Sequence, residues 1–177
     1  MQSGSHALRY SWPTKIRTSL YKKLIGLVRL YYNRVWGMHI AEGARISLTA
    51  KLDKTYPDGL HIGTYSAVTF RSSVMTHDFV NGVHLQTRIG AYCFIGAGAL
   101  IMPGVTVGDH CIVGAGSVVL RDVPPHSLVF GNPARVMEKG IMTGEFGRRL
   151  RNAEATPVAH GSDSVPITDA ALSGAAS

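Results

Sequence analysis

His77 is the residue whose type and position best suit acid–base chemistry in this chain of 177 residues. It stands in the run VMTHDF, immediately before a stretch where an otherwise regular sequence repeat is interrupted. An imidazole, with an unperturbed pKa of about 6.5, accepts a proton around neutrality, and an alcohol becomes an effective nucleophile only as its own proton is removed. A lone histidine at a strand end also serves structure alone, and residue type by itself leaves both roles open. Asp78 follows directly. Neighbouring side chains on an extended strand point to opposite faces, which argues against a direct His77–Asp78 hydrogen bond and leaves Asp78 to act in a site, bind an acceptor or cap the loop. Asn81 and His84 lie on the same interruption, where they can either contact acceptor hydroxyls or stand as solvated loop polars.

Other chemistries find little support. Cys93 and Cys111 are eighteen residues apart, a spacing that fits no zinc motif and reads as two reduced small fillers. His77 and His110 could approach a shared metal only with a third histidine at a short interval, and none follows either of them; no metal is expected. No glycine-rich phosphate loop precedes a helix, which argues against a nucleoside triphosphate substrate.

The elements that must hold His77 are announced by a six-residue period. From Ile40 an aliphatic residue recurs at Ile46 and Leu52, then at Ile62, Val68 and Val74, then at Ile89, Ile95 and Ile101, then at Val107, Val113 and Val119. Small residues commonly occupy the second place of the hexad (Gly63, Gly90, Gly96, Gly108, Gly114) and the fifth (Ala44, Ser66, Cys93, Cys111, Ser117). Neither a helical period near 3.6 nor strand alternation yields this pattern. Three hexads make one triangular coil, with the aliphatic side chain inward and small residues where the backbone turns. Such corners are expected to need permissive backbone angles and to have little room for a Cβ branch. Stacked coils then form parallel strands about 4.8 Å apart. The count is four coils between Ile40 and about Pro124, within a repeat body and closing segment spanning residues 40–136. Two insertions break it, one at Tyr56–His61 and one at Phe79–Arg88.

The two ends differ from this body. Residues 1–39 form a basic arm. Arg9, Lys15, Arg17, Lys22, Lys23, Arg29 and Arg34 fall before Glu42, the first acidic residue, so seven of the eighteen basic side chains are here and the remainder balances eleven against eleven. The repeat body therefore offers no charge argument for nucleic acid. Ile16, Leu20, Leu24, Leu27, Tyr31 and Val35 recur at steps of three or four, which predicts an amphipathic basic helix over residues 14–36. It can cap the open end of the repeat, pack on a neighbouring subunit, or lie on an anionic membrane surface. Residues 137–177 are expected to begin with a short Arg-rich helix to about residue 151 and to continue, from Asn152, as a disordered tail low in aromatic residues. No signal peptide or spanning segment is evident in the arm, which makes a reducing, cytoplasmic setting the default expectation.

From Ile62 to Val136, through VMTHDF, IGAYCFIGAGALIMPGVTVGDHCIVGAGSVVL and the closing RDVPPHSLVFGNPARV, the chain resembles the hexapeptide-repeat acetyltransferases that act on galactosides, maltose and polysaccharides. The resemblance implies an all-β fold, a left-handed parallel β-helix, and thus an exception to right-handed crossovers. It also implies a homotrimer with sites between neighbouring prisms, and acetyl-CoA as co-substrate. On this likeness His77 matches the family's catalytic histidine. Ala97 and Ala115 match small positions along which the pantetheine arm lies, and Arg121 and Arg135 are candidates for the coenzyme's phosphate. The implied reaction is direct O-acetylation of a sugar hydroxyl, on a small molecule or a surface-polysaccharide or lipid-linked glycan precursor. N-acetylation of an amino sugar or nucleotide sugar, and a non-catalytic trimeric repeat module, are the alternatives.

Overall fold

The computed structural model describes the backbone of residues 12–150, and the side chains from Leu20 onward except those of residues 21–23. The tail expected to be disordered from Asn152 lies outside the described residues. One helix, α1 (Trp12–Val35), precedes a left-handed parallel β-helix. Pro13 sits in its first turn, where a missing N–H costs nothing, and Gly37 just beyond its end takes a positive φ of 71°.

The prism has three faces built from very short strands. The first face stacks His39–Ile40, Leu60–Ile62, Thr87–Ile89 and Thr106–Val107; the third stacks Lys51–Leu52, Ser73–Val74, Leu100–Ile101 and Val118–Val119. The second runs Arg45–Ile46, Ala67–Val68, Phe94–Ile95, Ile112–Val113 and Ser127–Gly131, and Ala134–Lys139 adds to it antiparallel. Register follows the hexads, with Ile46 beside Val68, Ile95 beside Val113 and Val74 beside Ile101. All twelve periodic aliphatic residues point inward, and none is more than 5% exposed. The buried small residues are satisfied: Ser66 Oγ donates to Gly90 O at 2.6 Å and accepts from Cys93 N at 2.8 Å.

The second-place glycines are required for a different reason from the one the sequence suggests. Positive φ falls mainly on the fourth place of the hexad, at Tyr65, Arg71, Tyr92, Gly98, His110 and Gly116. Gly96, in contrast, has no unusual φ, but a Cβ there would stand 2.5 Å from Ala115 N and 2.7 Å from Gly114 C in the next coil. Close stacking of coils, not backbone freedom, selects glycine at that place.

Two expectations about the ends need correction. The apolar stripe chosen from the sequence is not the packing face of α1, since Leu20, Leu24, Leu27, Tyr31 and Val35 are all exposed; Ile16 lies among the side chains outside the description. Ile25 is buried instead, while Val28, Tyr32 and Trp36 pack half-buried against the first coil. Both sides of the helix are apolar enough to serve, and the junction decides between them. Asn33 brackets Ile40 with two hydrogen bonds, Nδ2 to O at 2.9 Å and Oδ1 from N at 3.0 Å. At the other end there is no Arg-rich helix over 137–150. The strand runs to Lys139, a strap follows, and only Glu145–Gly147 makes a 3-10 turn. Gly140 and Gly147, both at positive φ, are poor helix formers at those points. The strap instead grips a column of rings at the corner between the first and second faces. Tyr65, Tyr92, His110 and His126 stack with centroid spacings of 5.6, 5.1 and 5.0 Å. Ring nitrogens of His110 and His126 meet the carbonyls of Thr143 and Ile141 at 2.9 and 3.1 Å.

Candidate active site

His77 ends the run of chain that leaves the third face, and the excursion after it is a hairpin in which His77–Asp78 pairs antiparallel with Val83–His84. The ladder sets His77 opposite His84. Their rings stack at 5.1 Å with 26° between planes, and Phe79 meets the His77 ring edge-on at 5.9 Å. The first insertion arrives at the same place: the Tyr56 ring lies edge-on to His84 at 5.5 Å, and Tyr56 O accepts the buried Thr76 hydroxyl at 2.8 Å. Both interruptions of the repeat therefore converge on the corner that carries His77.

Asp53 locks this corner. Its Oδ2 accepts the backbone N–H groups of both Thr76 and His77 at 3.0 Å, and its Oδ1 accepts that of Thr55 at 2.9 Å. Burial pushes the Asp53 carboxyl up, but these backbone hydrogen bonds outweigh it and hold the group below the usual carboxylate range. Sequence reasoning missed this residue, although a signal was present. Asp53 occupies a second-place column whose other members, one coil apart, are Met75, Met102 and Leu120, and a lone carboxylate there asks for a partner.

Asp78 is engaged in the turn. Its Oδ1 accepts the N–H groups of Val80 and Asn81 at 3.0 and 3.1 Å, and its Oδ2 accepts Asn81 Nδ2 at 2.6 Å. The Asn81 side chain first, and these backbone groups with it, hold Asp78 below its ordinary pKa. This is an Asx turn that shapes the hairpin and presents Phe79 and Val80, 86% and 91% exposed, at its tip. Of the residues singled out in the sequence, the structure thus brings His77, Asp78, Asn81 and His84 together.

The remaining candidates form two other groups. Ala97 and Ala115 stack one coil apart at the corner between the second and third faces, where Gly116 N donates to Ala97 O at 2.8 Å. Arg121 and Arg135, both exposed, line one cavity of about 440 Å³ at the closing end with Leu120, Pro133 and Val136. His110 sits in the ring column at yet another corner, away from His77. Within a single prism, then, His77 and the two alanines occupy different edges, and a site using both needs an edge from another copy.

The Bacterial transferase hexapeptide (six repeats) family matches residues 86–121. Among curated proteins the chain is similar to YvoF of Bacillus subtilis, named provisionally as an acetyltransferase, with 28% identity over 124 residues, 69% of this chain and 72% of that one. It is also similar to serine acetyltransferase 2 of Arabidopsis thaliana, 33% identical over 145 residues, 77% of this chain; this chain spans only 44% of that protein's length. Among solved structures, a galactoside acetyltransferase in complex with coenzyme A shares the fold, with a TM-score of 0.50 at 24% identity over 63% of this chain and 68% of that one. The six-residue repeat and the prism that it builds agree with the hexapeptide match, and the proteins to which the chain is similar are named as acetyltransferases.

Proposed function

We propose that this protein transfers the acetyl group of acetyl-CoA to a sugar hydroxyl, with His77 as general base and with sites formed between the prisms of a homotrimer. The observation that carries the reading is the convergence of both insertions on His77, with its backbone held by Asp53 and its ring stacked on His84. In the reaction the imidazole takes the hydroxyl proton as the oxygen attacks the thioester carbonyl. The tetrahedral intermediate then expels the coenzyme thiolate, which receives that proton, leaving an acetyl ester and free CoA. Backbone N–H groups at the small residues are suited to the developing oxyanion, Ala97 and Ala115 admit the pantetheine arm, and Arg121 and Arg135 supply charge for its phosphates. The separation of these groups along one prism supports the trimer. The acetyltransferases to which the chain is similar support the donor. Acetyl-CoA at about 100 times its Kd should stabilise the protein by about 2.7 kcal/mol, read as an upward Tm shift in a preparation that sediments as three chains. An unchanged Tm at millimolar acetyl-CoA would remove the donor assignment.

The acceptor in this reading is a surface-polysaccharide or lipid-linked glycan precursor, and residues 14–36 hold the enzyme against an anionic membrane surface. The charge of the arm supports this, with seven basic and no acidic residues before Glu42, as does the outward stripe of Leu20, Leu24, Leu27, Tyr31 and Val35. Among the described residues no helix is long and apolar enough to cross a membrane. Deleting residues 1–36 should abolish co-sedimentation with vesicles containing phosphatidylglycerol, and an equal pellet fraction with and without the arm would reject the contact.

A further inference from the structure

The outward positions of the first face set three potential cations in consecutive register. His39 pairs with His61, His61 with Arg88, and Arg88 with Thr106. Like charges directly opposite one another weaken a sheet, so a column of this kind needs a counter-charge. His39 has one, since its Nε2 lies 2.9 Å from Asp58 Oδ1. His61 has none. Its ring is stacked on His39 at 4.6 Å with 8° between planes, and its Nε2 is enclosed by protein with no hydrogen-bond partner among the described residues. Burial first, then the neighbouring Arg88 and His39, depress its pKa, which favours the neutral imidazole, and a neutral imidazole carries one N–H.

These groups open on a cavity of about 530 Å³ that spans the four coils over a floor of Gly63, Gly90 and Gly108. The carboxylates here are already engaged: Asp109, which lines the cavity, accepts Ala91 N with its Oδ1, and Asp122 Oδ1 accepts Thr106 N, both at 2.7 Å. Arg88 gives one N–H to Gln86, and a guanidinium has four more. What the cavity leaves unengaged is therefore chiefly N–H donors and the charge of Arg88. Stacked, parallel rings cannot converge on a metal, and the fit is to an oxyanion.

The location names the source of that oxyanion. Arg88 is the middle residue of the first-face strand Thr87–Ile89, four residues after His84, and the adjacent Thr87 donates its hydroxyl to Met75 O at 2.5 Å, on the run that leads from Ser73–Val74 to His77. Arg88 thus follows the His77 hairpin directly along the chain, whereas Arg121 and Arg135 stand at the closing end. The geometry points to a phosphate subsite, built from His61 and Arg88, that takes the phosphate of a phosphorylated sugar acceptor. This rests on the reading of His77 as the acetyl-transfer base. Carbohydrate joined to a lipid or a nucleotide carries such a phosphate at its anomeric carbon.

The test uses the full chain, following the His61 ring by NMR, with the resonance assigned through His61→Asn. Titration with inorganic phosphate should give a saturable shift that chloride at equal ionic strength does not reproduce. Glucose 1-phosphate should bind at least as tightly and glucose at least tenfold more weakly. Arg88→Gln, a change at an exposed side chain, should raise the phosphate Kd at least tenfold, and His77→Ala should leave it unchanged. Absence of a saturable shift, or an Arg88→Gln Kd equal to wild type, overturns the subsite. If 3′,5′-ADP, the phosphate-bearing end of the donor, displaces phosphate more tightly than glucose 1-phosphate does, the site belongs to the coenzyme and the acceptor assignment falls. Because no turnover is measured, these outcomes are separate from the fate of His77 as base.

Discussion

Replacing His77 with alanine should lower the rate of acetyl transfer by about 10²–10⁴-fold, the usual worth of a positioned general base. The loss should appear in kcat, with the KM for acetyl-CoA little changed, because the imidazole acts on the acceptor proton and not on the donor. The fold should survive. His77 is only half-buried, and the hydrogen bonds that fix its position use its backbone N–H, not its ring. A steady-state assay of CoA release with an accepted sugar, alongside a melting curve, reads both consequences. A His77→Ala enzyme that keeps more than a tenth of wild-type kcat would end the assignment of this residue as the base.

Replacing Asp53 with alanine is the second large effect, expected at about 10–100-fold in kcat, the size of loss that an ångström-scale misplacement of a reacting group produces. Asp53 touches nothing in the proposed reaction. Its Oδ2 binds the N–H groups of Thr76 and His77 together, and without it two buried-side donors lose their partner and the hairpin is free to pivot at its root. Asn in the same place retains an oxygen for both donors, so Asp53→Asn should recover most of the activity that Asp53→Ala loses. A role in stability alone would predict a fall in Tm with kcat intact well below the melting range; that result, or an Asn variant as impaired as the Ala variant, would refute positioning. The sign of the pH effect follows from the depressed pKa. Asp53 contributes its stabilisation fully above its ordinary value of 3.8 and loses it as the pH falls through the lower value that it has in the folded chain. The Asp53→Asn protein should lack this acid-side contribution, which urea denaturation between about pH 2 and pH 5 would detect.

Different parts of this molecule were legible to different degrees. The core was almost wholly legible, because each hexad buries its first residue within the same six positions that define it, and all twelve such residues from Ile40 to Val119 are buried. The breaks were legible for the same reason. The hairpin after His77 appears where the period fails, and His84 lies on it as expected. Less could be read of α1. Its two sides are both apolar, and only the Asn33–Ile40 bracket decides that Ile25, Val28 and Tyr32 turn inward. The strap over 137–150 could not be read as strand and loop from Arg content, since its partners, Tyr92 and His110 among them, lie tens of residues away.

The sequence by itself determined the prism, the number of its coils, the inward residues and the position of His77 before a break, because these follow from a repeat whose information is local. Only the tertiary structure decided that Tyr56 and His84 meet across 28 residues, that Asp53 reaches 24 residues onward to hold His77, and that Gly96 is chosen for the backbone of Ala115 stacked on it. Each of these depends on which residue of one coil lies beside which residue of the next. For the first two that offset is set by the lengths and shapes of the insertions, for Gly96 by the eighteen residues of an unbroken coil, and no six-residue window contains either.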